Sequence, residues 1–172
     1  MNQPLPSTAF LTDMYELTML DAAIQDGTAE RECVFEVFGR RMPNERRYGV
    51  VAGTARALDA ITRFRFTEEQ IATADFLSDA AREYLRNFRF SGQVDGYREG
   101  DLYFPYSPIM TVRGTFAECV ILETLALSIF NSTSRTVFPL TNDYDLIQRE
   151  LEQGEAPVGR AGAAAIVRRS EE

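Results

Sequence analysis

The stretch "TFAECVILETLALSIFN", Thr115–Asn131, limits the possible folds more than any other part of this chain. Its apolar residues fall on nearly every side of a helix, and such a helix is stable only when other elements cover most of its circumference. Its longest apolar run, near Cys119–Phe130, is interrupted by Glu123 and is too short to cross a bilayer. Burial inside protein is the expectation. Glu118 and Glu123 lie five apart in it, off a common helix face. A buried glutamate needs a partner.

The flanking segments predict what packs around it. A helix is expected over Asp13–Asp26. Asp13 can cap it, Glu16 completes a capping box, and Gly27 ends it. Met14, Leu17, Leu20 or Asp21, and Ile24 mark its apolar face. "CVFEVFGRR" alternates as a strand, with Cys33, Phe35 and Val37 on one face and Val34, Glu36 and Phe38 on the other. "GTARALDAITRF" predicts a helix capped by Thr54, with Leu58, Ile61 and Phe64 inward. Thr67 and Gln70 form a further capping box. "SDAAREYLRNF" predicts a short helix burying Ala81, Tyr84, Leu85 and Phe88. From Phe90, the punctuation by Gly92, Gly96 and Gly100 predicts a small antiparallel meander, with "FPYSP" at an edge or turn. One more helix is expected at Tyr144–Gln153, and the last dozen or so residues are expected to be disordered. This order of elements reads as α+β.

Composition narrows the chemistry. The net charge is −8 and the pI about 4.7, so nucleic acid and anionic membranes are repelled and neither is expected as a main partner. The sequence contains no histidine, which excludes a histidine base, a phosphohistidine and histidine-bound metal within this chain. No cysteine cluster, P-loop or G-x-G-x-x-G occurs. Cys33 and Cys119 lie in separate apolar runs and read as buried thiols suited to a reducing cytosol. "MNQPLPSTAF" lacks a basic start and an apolar core, so no signal peptide is expected. The loop "RRMPNERRYGVVAG" carries Arg40, Arg41, Arg46 and Arg47. Guanidinium forks there suit phosphate or carboxylate, or partner Glu36 and Glu118. Tyr15, in the first turn of the first helix, reads either as half-buried filling or as an aromatic face for a planar ligand.

Three segments, "LTDMYELTML", "FEVFGRRMPNERRYGVVAG" and "LRNFRFSGQVDGYREGDLYFPYSPIMTVRGTFAECVILETLALSIFN", resemble in sequence, order and spacing the N-terminal domain of the nicotinate phosphoribosyltransferases, in their actinobacterial flavour. The resemblance spans about Leu11–Asn131. It implies an open-faced α+β domain of a type II phosphoribosyltransferase over residues 1–131, normally followed by an irregular α/β barrel. It also implies the joining of nicotinate to phosphoribosyl pyrophosphate, with ATP hydrolysis helping and Mg²⁺ handling the pyrophosphate. Cytoplasmic homodimers with shared active sites are implied, with the tyrosine of "TDMYELTM" against the pyridine ring in the neighbouring subunit's site. Carried over, that residue is Tyr15, with Asp13 beside it as a second substrate-binding residue. No catalytic or metal-binding residue is carried over.

The resemblance ends at Asn131. Residues 132–172, beginning "STSRTVFPLTND", form an atypical tail where the family usually continues towards its barrel. The expectation is a truncated chain, inactive by itself. The alternative is a non-catalytic α+β dimerisation or interaction module derived from that enzyme.

Overall fold

Helix α1 (Met14–Asp26) begins and ends where capping chemistry places it. The Glu16 carboxylate accepts from the Asp13 N–H at 3.3 Å, and Gly27 closes the helix in the left-handed region at φ 79°. This computed structural model describes residues 7–9, 12–40, 47–137 and 164–169. The buried side of α1 is Glu16, Leu17, Leu20 and Ala23. The expected face is therefore rotated: Met14 is 62% exposed, and Asp21 turns outward to bond Ser78. Periodicity alone could not show that a carboxylate, Glu16, would occupy the inner side.

Strand β1 (Glu32–Gly39) lies inside a four-stranded antiparallel sheet. With β3 (Gln93–Gly96), β5 (Pro108–Thr115) and β6 (Ala164–Arg169), the order is β3-β5-β1-β6. Cys33, Phe35 and Val37 face the main core, as their alternation predicts. Val34 and Phe38 on the other face are also buried, and Phe38 stands 6.1 Å, centroid to centroid, from Tyr106. The disorder expected of the last dozen or so residues does not hold at 164–169, where β6 pairs with β1 from Val34↔Arg169 to Gly39↔Ala164. The expected helix at Tyr144–Gln153 lies outside the described residues, as do Arg41 and Arg46.

The glycine-punctuated region is not one meander. β3 pairs with β5, but β4 (Leu102–Tyr103) pairs instead with β2 (Gly49–Val50) in a separate ribbon. The turn responsible is held from both sides. Gly100, at φ 89°, donates its N–H to the Val51 carbonyl, and Val51 donates to Asp101. "FPYSP" is the turn expected, with Tyr106 at φ 65° and its N–H on the Gly39 carbonyl.

Helices α2 (Thr54–Arg63), α3 (Glu68–Thr73) and α4 (Asp79–Asn87) cover the core. The cap of α2 is Gly53, at φ 116°, and not Thr54. The orphan amides of Gly53 and Ala55 are taken by the Glu99 carboxylate from 2.9 to 3.1 Å, so the meander region supplies the cap from a distance in sequence. Ala57 and Ile61 point inward, whereas Leu58 is 41% exposed. Phe64, Phe66 and Phe88 meet edge-on beneath these helices. The Thr67–Gln70 capping box forms as read.

The apolar stretch from Thr115 is not one helix but two, α5 (Phe116–Val120) and α6 (Glu123–Val137). Ile121 and Leu122 make the joint and are fully buried. A break frees helix-start amides, which need acceptors. Glu118 serves the start of α5 through the N–H of Thr115, and Glu16 serves the start of α6 through the N–H of Thr124. Glu123, an interruption in the sequence pattern, is an acidic first-turn residue, where the helix dipole favours it.

Gly92 permits the close approach of the chain to β5. A Cβ there would lie 2.0 Å from the Arg113 carbonyl oxygen, a backbone atom that cannot step aside. Gly92→Ala is expected to destabilise the domain by about 1–3 kcal/mol or more through overpacking. Denaturant unfolding checks this; an unchanged midpoint would show that β3 and β5 are not held at this distance.

Candidate functional site

The starts of α1 and α6 meet at one carboxylate. Glu16 is fully buried. Its Oε1 accepts from the Thr124 N–H at 2.9 Å and the Thr124 hydroxyl at 2.6 Å. Its Oε2 accepts from the Asp13 N–H and the Thr12 hydroxyl. Asp13 Oδ2 also lies 3.3 Å from the Thr124 hydroxyl, which has one proton and gives it to the nearer Glu16. Thr12, Asp13, Glu16 and Thr124 thus form one polar knot.

Tyr15 stands on the outer side of that knot and is 44% exposed. Its hydroxyl faces the Glu123 carboxylate. Partial burial raises the phenol above its ordinary value first, and the negative charges of Glu123, Glu16 and Asp13 raise it further. The phenol is therefore held neutral, with Glu123 at its hydroxyl end and much of the ring surface open. Both substrate-binding residues expected from the sequence, Tyr15 and Asp13, come together at this knot. The sequence shows Glu16 only as a cap and does not mark Thr124 or Glu123 as neighbours. The available signal is the acidic first turn of each helix.

A second four-donor carboxylate sits at the start of α5. Glu118 accepts from the Ser91 N–H and hydroxyl at 2.7 and 2.8 Å, and from the Thr115 N–H and hydroxyl at 3.0 and 3.2 Å. Its partners are therefore Ser91 and Thr115, and the arginine loop is not needed to satisfy it. Arg40 and Arg47 are exposed. Burial pushes the Glu118 carboxyl up, but its hydrogen bonds outweigh that and hold it below the ordinary value. At Glu16 burial wins over the hydrogen bonds from Thr12 and Thr124, and Glu123 adds repulsion, so this carboxyl is raised.

Among the described residues, no group of three or more histidine, cysteine, aspartate or glutamate side chains is placed to hold a metal ion. No helix among them is long and apolar enough to cross a membrane.

A family model for the nicotinate phosphoribosyltransferase (NAPRTase) N-terminal domain matches residues 10–131. The chain belongs to the nicotinate phosphoribosyltransferase family. A relative of that name from Mycobacterium tuberculosis is 62% identical over 122 residues, covering 70% of this chain and 27% of the relative. One from Bacillus subtilis is 34% identical over 133 residues, covering 73% and 26%. The crystal structure of human nicotinic acid phosphoribosyltransferase superposes with a TM-score of 0.64 at 27% identity, over 69% of this chain and 25% of that one. The chain thus spans about a quarter of the length of the NAPRTase relatives it matches. The knot at Glu16 joins Thr12–Glu16 to Glu123–Thr124, near opposite ends of the matched NAPRTase segment.

The two carboxylates should titrate apart. Glu118, lowered in the fold, stabilises it above the ordinary glutamate range, and that contribution is lost as pH falls through its folded value. Glu16, raised in the fold, has the opposite sign: its contribution is fully present below the unfolded value and is lost as pH rises through the folded one. Carboxyl-detected NMR titration of the chain should place Glu16 above the ordinary value and Glu118 below it. The reverse order would refute this balance of burial and hydrogen bonding.

Proposed function

We propose that this domain serves a nicotinate phosphoribosyltransferase in NAD biosynthesis and salvage, joining nicotinate to phosphoribosyl pyrophosphate to give nicotinate mononucleotide and pyrophosphate. Its contribution is the ring-facing wall of the nicotinate pocket, formed by Tyr15 with Asp13 beside it. The observation that carries this reading is the half-exposed Tyr15, facing Glu123, within a segment matched to the family.

The chemistry of the reaction suits such a wall. When the pyridine nitrogen bonds to the ribose carbon, a neutral ring becomes a cationic one. A cation is attracted to the face of an aromatic ring more strongly than its neutral precursor. Glu123 faces the neutral phenol hydroxyl, and Asp13, Glu16 and Glu123 add negative potential behind the ring. That environment favours the developing pyridinium over the free base, which is the differential binding catalysis requires. The same carboxylates repel the acid group of nicotinate, so the substrate lies with its carboxylate turned away from the start of α1.

Among the described residues, ATP and Mg²⁺ find no preformed site beside Tyr15. The Tyr15 site presents carboxylates and not phosphate-binding cations, and no metal-holding cluster forms among these residues. In this proposal both belong to other portions of the enzyme. The proposed assembly is a cytoplasmic homodimer with shared active sites. Exposed Tyr48, Leu102, Phe104 and Tyr106 around the β2–β4 ribbon support contact with further protein.

Two outcomes test the proposal. The 172-residue chain alone, given nicotinate, phosphoribosyl pyrophosphate, Mg²⁺ and ATP, is expected to form no measurable nicotinate mononucleotide. Positioning and stabilisation of the departing pyrophosphate carry this kind of chemistry, and among the described residues no group of three or more histidine, cysteine, aspartate or glutamate side chains is placed to hold a metal ion for it. Robust product formation would overturn the assignment of those groups to other portions.

The second test grafts this domain onto the remainder of the Mycobacterium tuberculosis relative. In an active chimera, Tyr15→Ala is expected to raise the KM for nicotinate on the order of tenfold, since stacking contributes roughly 0.5–1.5 kcal/mol and about 1.4 kcal/mol is a factor of ten. The melting temperature should barely move, because the ring is half exposed. A loss of about 3–5 kcal/mol of stability with unchanged KM would make Tyr15 a packing residue instead.

A further inference from the structure

Cys33 and Cys119 are separated by most of the domain in sequence, yet the fold brings their side chains next to each other. The register explains how. Cys33 in β1 is paired with Gly114 in β5. A Cβ built on Gly114 would lie 3.5 Å from the Cys119 Sγ, so the sulfur fills the space above the glycine, beside Cys33. Cys119 also points its thiol at the Val112 carbonyl, 3.9 Å away. Both cysteines are buried and neither is in a disulfide.

Their surroundings differ. Cys119 is 1% exposed, at the heart of α5, whereas Cys33 borders an open surface cavity of about 350 Å³ shared with Ser91, Arg113, Thr115 and Glu118. The pair therefore meets the cavity on its Cys33 side and not on its Cys119 side.

We propose that Cys33 and Cys119 are a modification site: a dithiol that a peroxide entering this cavity converts into an intramolecular disulfide linking β1 to α5. The Cys33 thiolate attacks the peroxide O–O bond, giving a sulfenic acid and releasing hydroxide, which is protonated to water. Cys119 sulfur then attacks the Cys33 sulfur. The S–O bond breaks, and the leaving hydroxide takes the Cys119 proton as a second water. Two thiols are oxidised by two electrons and one peroxide is reduced to two waters. The contact between the thiols, burial and the nearby Glu118 keep the Cys119 thiol protonated, so the reaction is slow and the reduced pair is the resting state.

The chain has no other cysteine, which makes the product unambiguous. The whole chain is treated with hydrogen peroxide, and intact mass and non-reducing peptide maps are recorded. The expected product is a monomer lighter by two hydrogens, with the Cys33 and Cys119 peptides joined and released again by dithiothreitol. In Cys119→Ser the second step is blocked, so Cys33 should be trapped by dimedone as its sulfenic acid. Sulfinic or sulfonic acid in the wild-type chain, disulfides only between chains, or thiols still unreacted after prolonged treatment would each overturn the proposal. The wild-type measurement decides the matter even if the serine variant fails to fold.

Discussion

The carboxylate of Glu16 is the joint on which the candidate site depends. It receives two donors from the start of α1 and two from Thr124, 108 residues away. Without it, the amide of Thr124 would lack its acceptor, and the break at Ile121–Leu122 would be harder to sustain. A continuous helix from Phe116 would send Glu123 in another direction, and Tyr15 would lose the carboxylate that faces its hydroxyl. A buried anion normally costs stability unless its acceptors are filled. At Glu16 they are filled, and the remaining cost of burial shows in the raised carboxyl.

Glu118 solves the same problem at α5, and Glu99 does so at α2 from outside the helix. Three acidic side chains thus close three helix starts, and in each case at least one donor comes from a helix-start amide. The acidic composition of the chain is partly this structural device and partly the surroundings of Tyr15. What separates Glu16 from Glu118 is not the number of donors but depth and company. At Glu118 the hydrogen bonds from Ser91 and Thr115 prevail, whereas Glu16 lies deeper and has the Glu123 carboxylate nearby.

Local signals in the sequence were legible wherever one element decided the outcome. The capping box at Thr67, the glycine closing α1 and the alternation of Cys33–Phe38 read directly. They depend on contacts within a few residues. The misreadings share the opposite cause. The helix break at Ile121, the distant cap of α2 and the pairing of β4 with β2 all depend on partners dozens of residues away. The position of Leu58 and the turned face of α1 belong with them, since periodicity ranks residues by apolarity and cannot know where a buried carboxylate is required. Tyr15 and Asp13 were visible as a motif. Glu123 and Thr124 became part of the same place only through tertiary structure.

On the proposed reading, that arrangement divides recognition of nicotinate into two parts. The ring is addressed by Tyr15, whose hydroxyl faces Glu123. The acid group is not addressed by the described residues here, because the charges that act on Tyr15 among them, Glu123, Glu16 and Asp13, are negative. Cations must therefore meet the substrate carboxylate from another surface, while this domain answers the charge that appears on the ring nitrogen during bond formation. Such a split places selectivity for the acid on one part of the assembly and assistance to the chemical step on another. It also gives a physical reason for an acidic knot beside an anionic substrate: repulsion orients the ground state, and the same potential becomes attractive as the ring turns cationic.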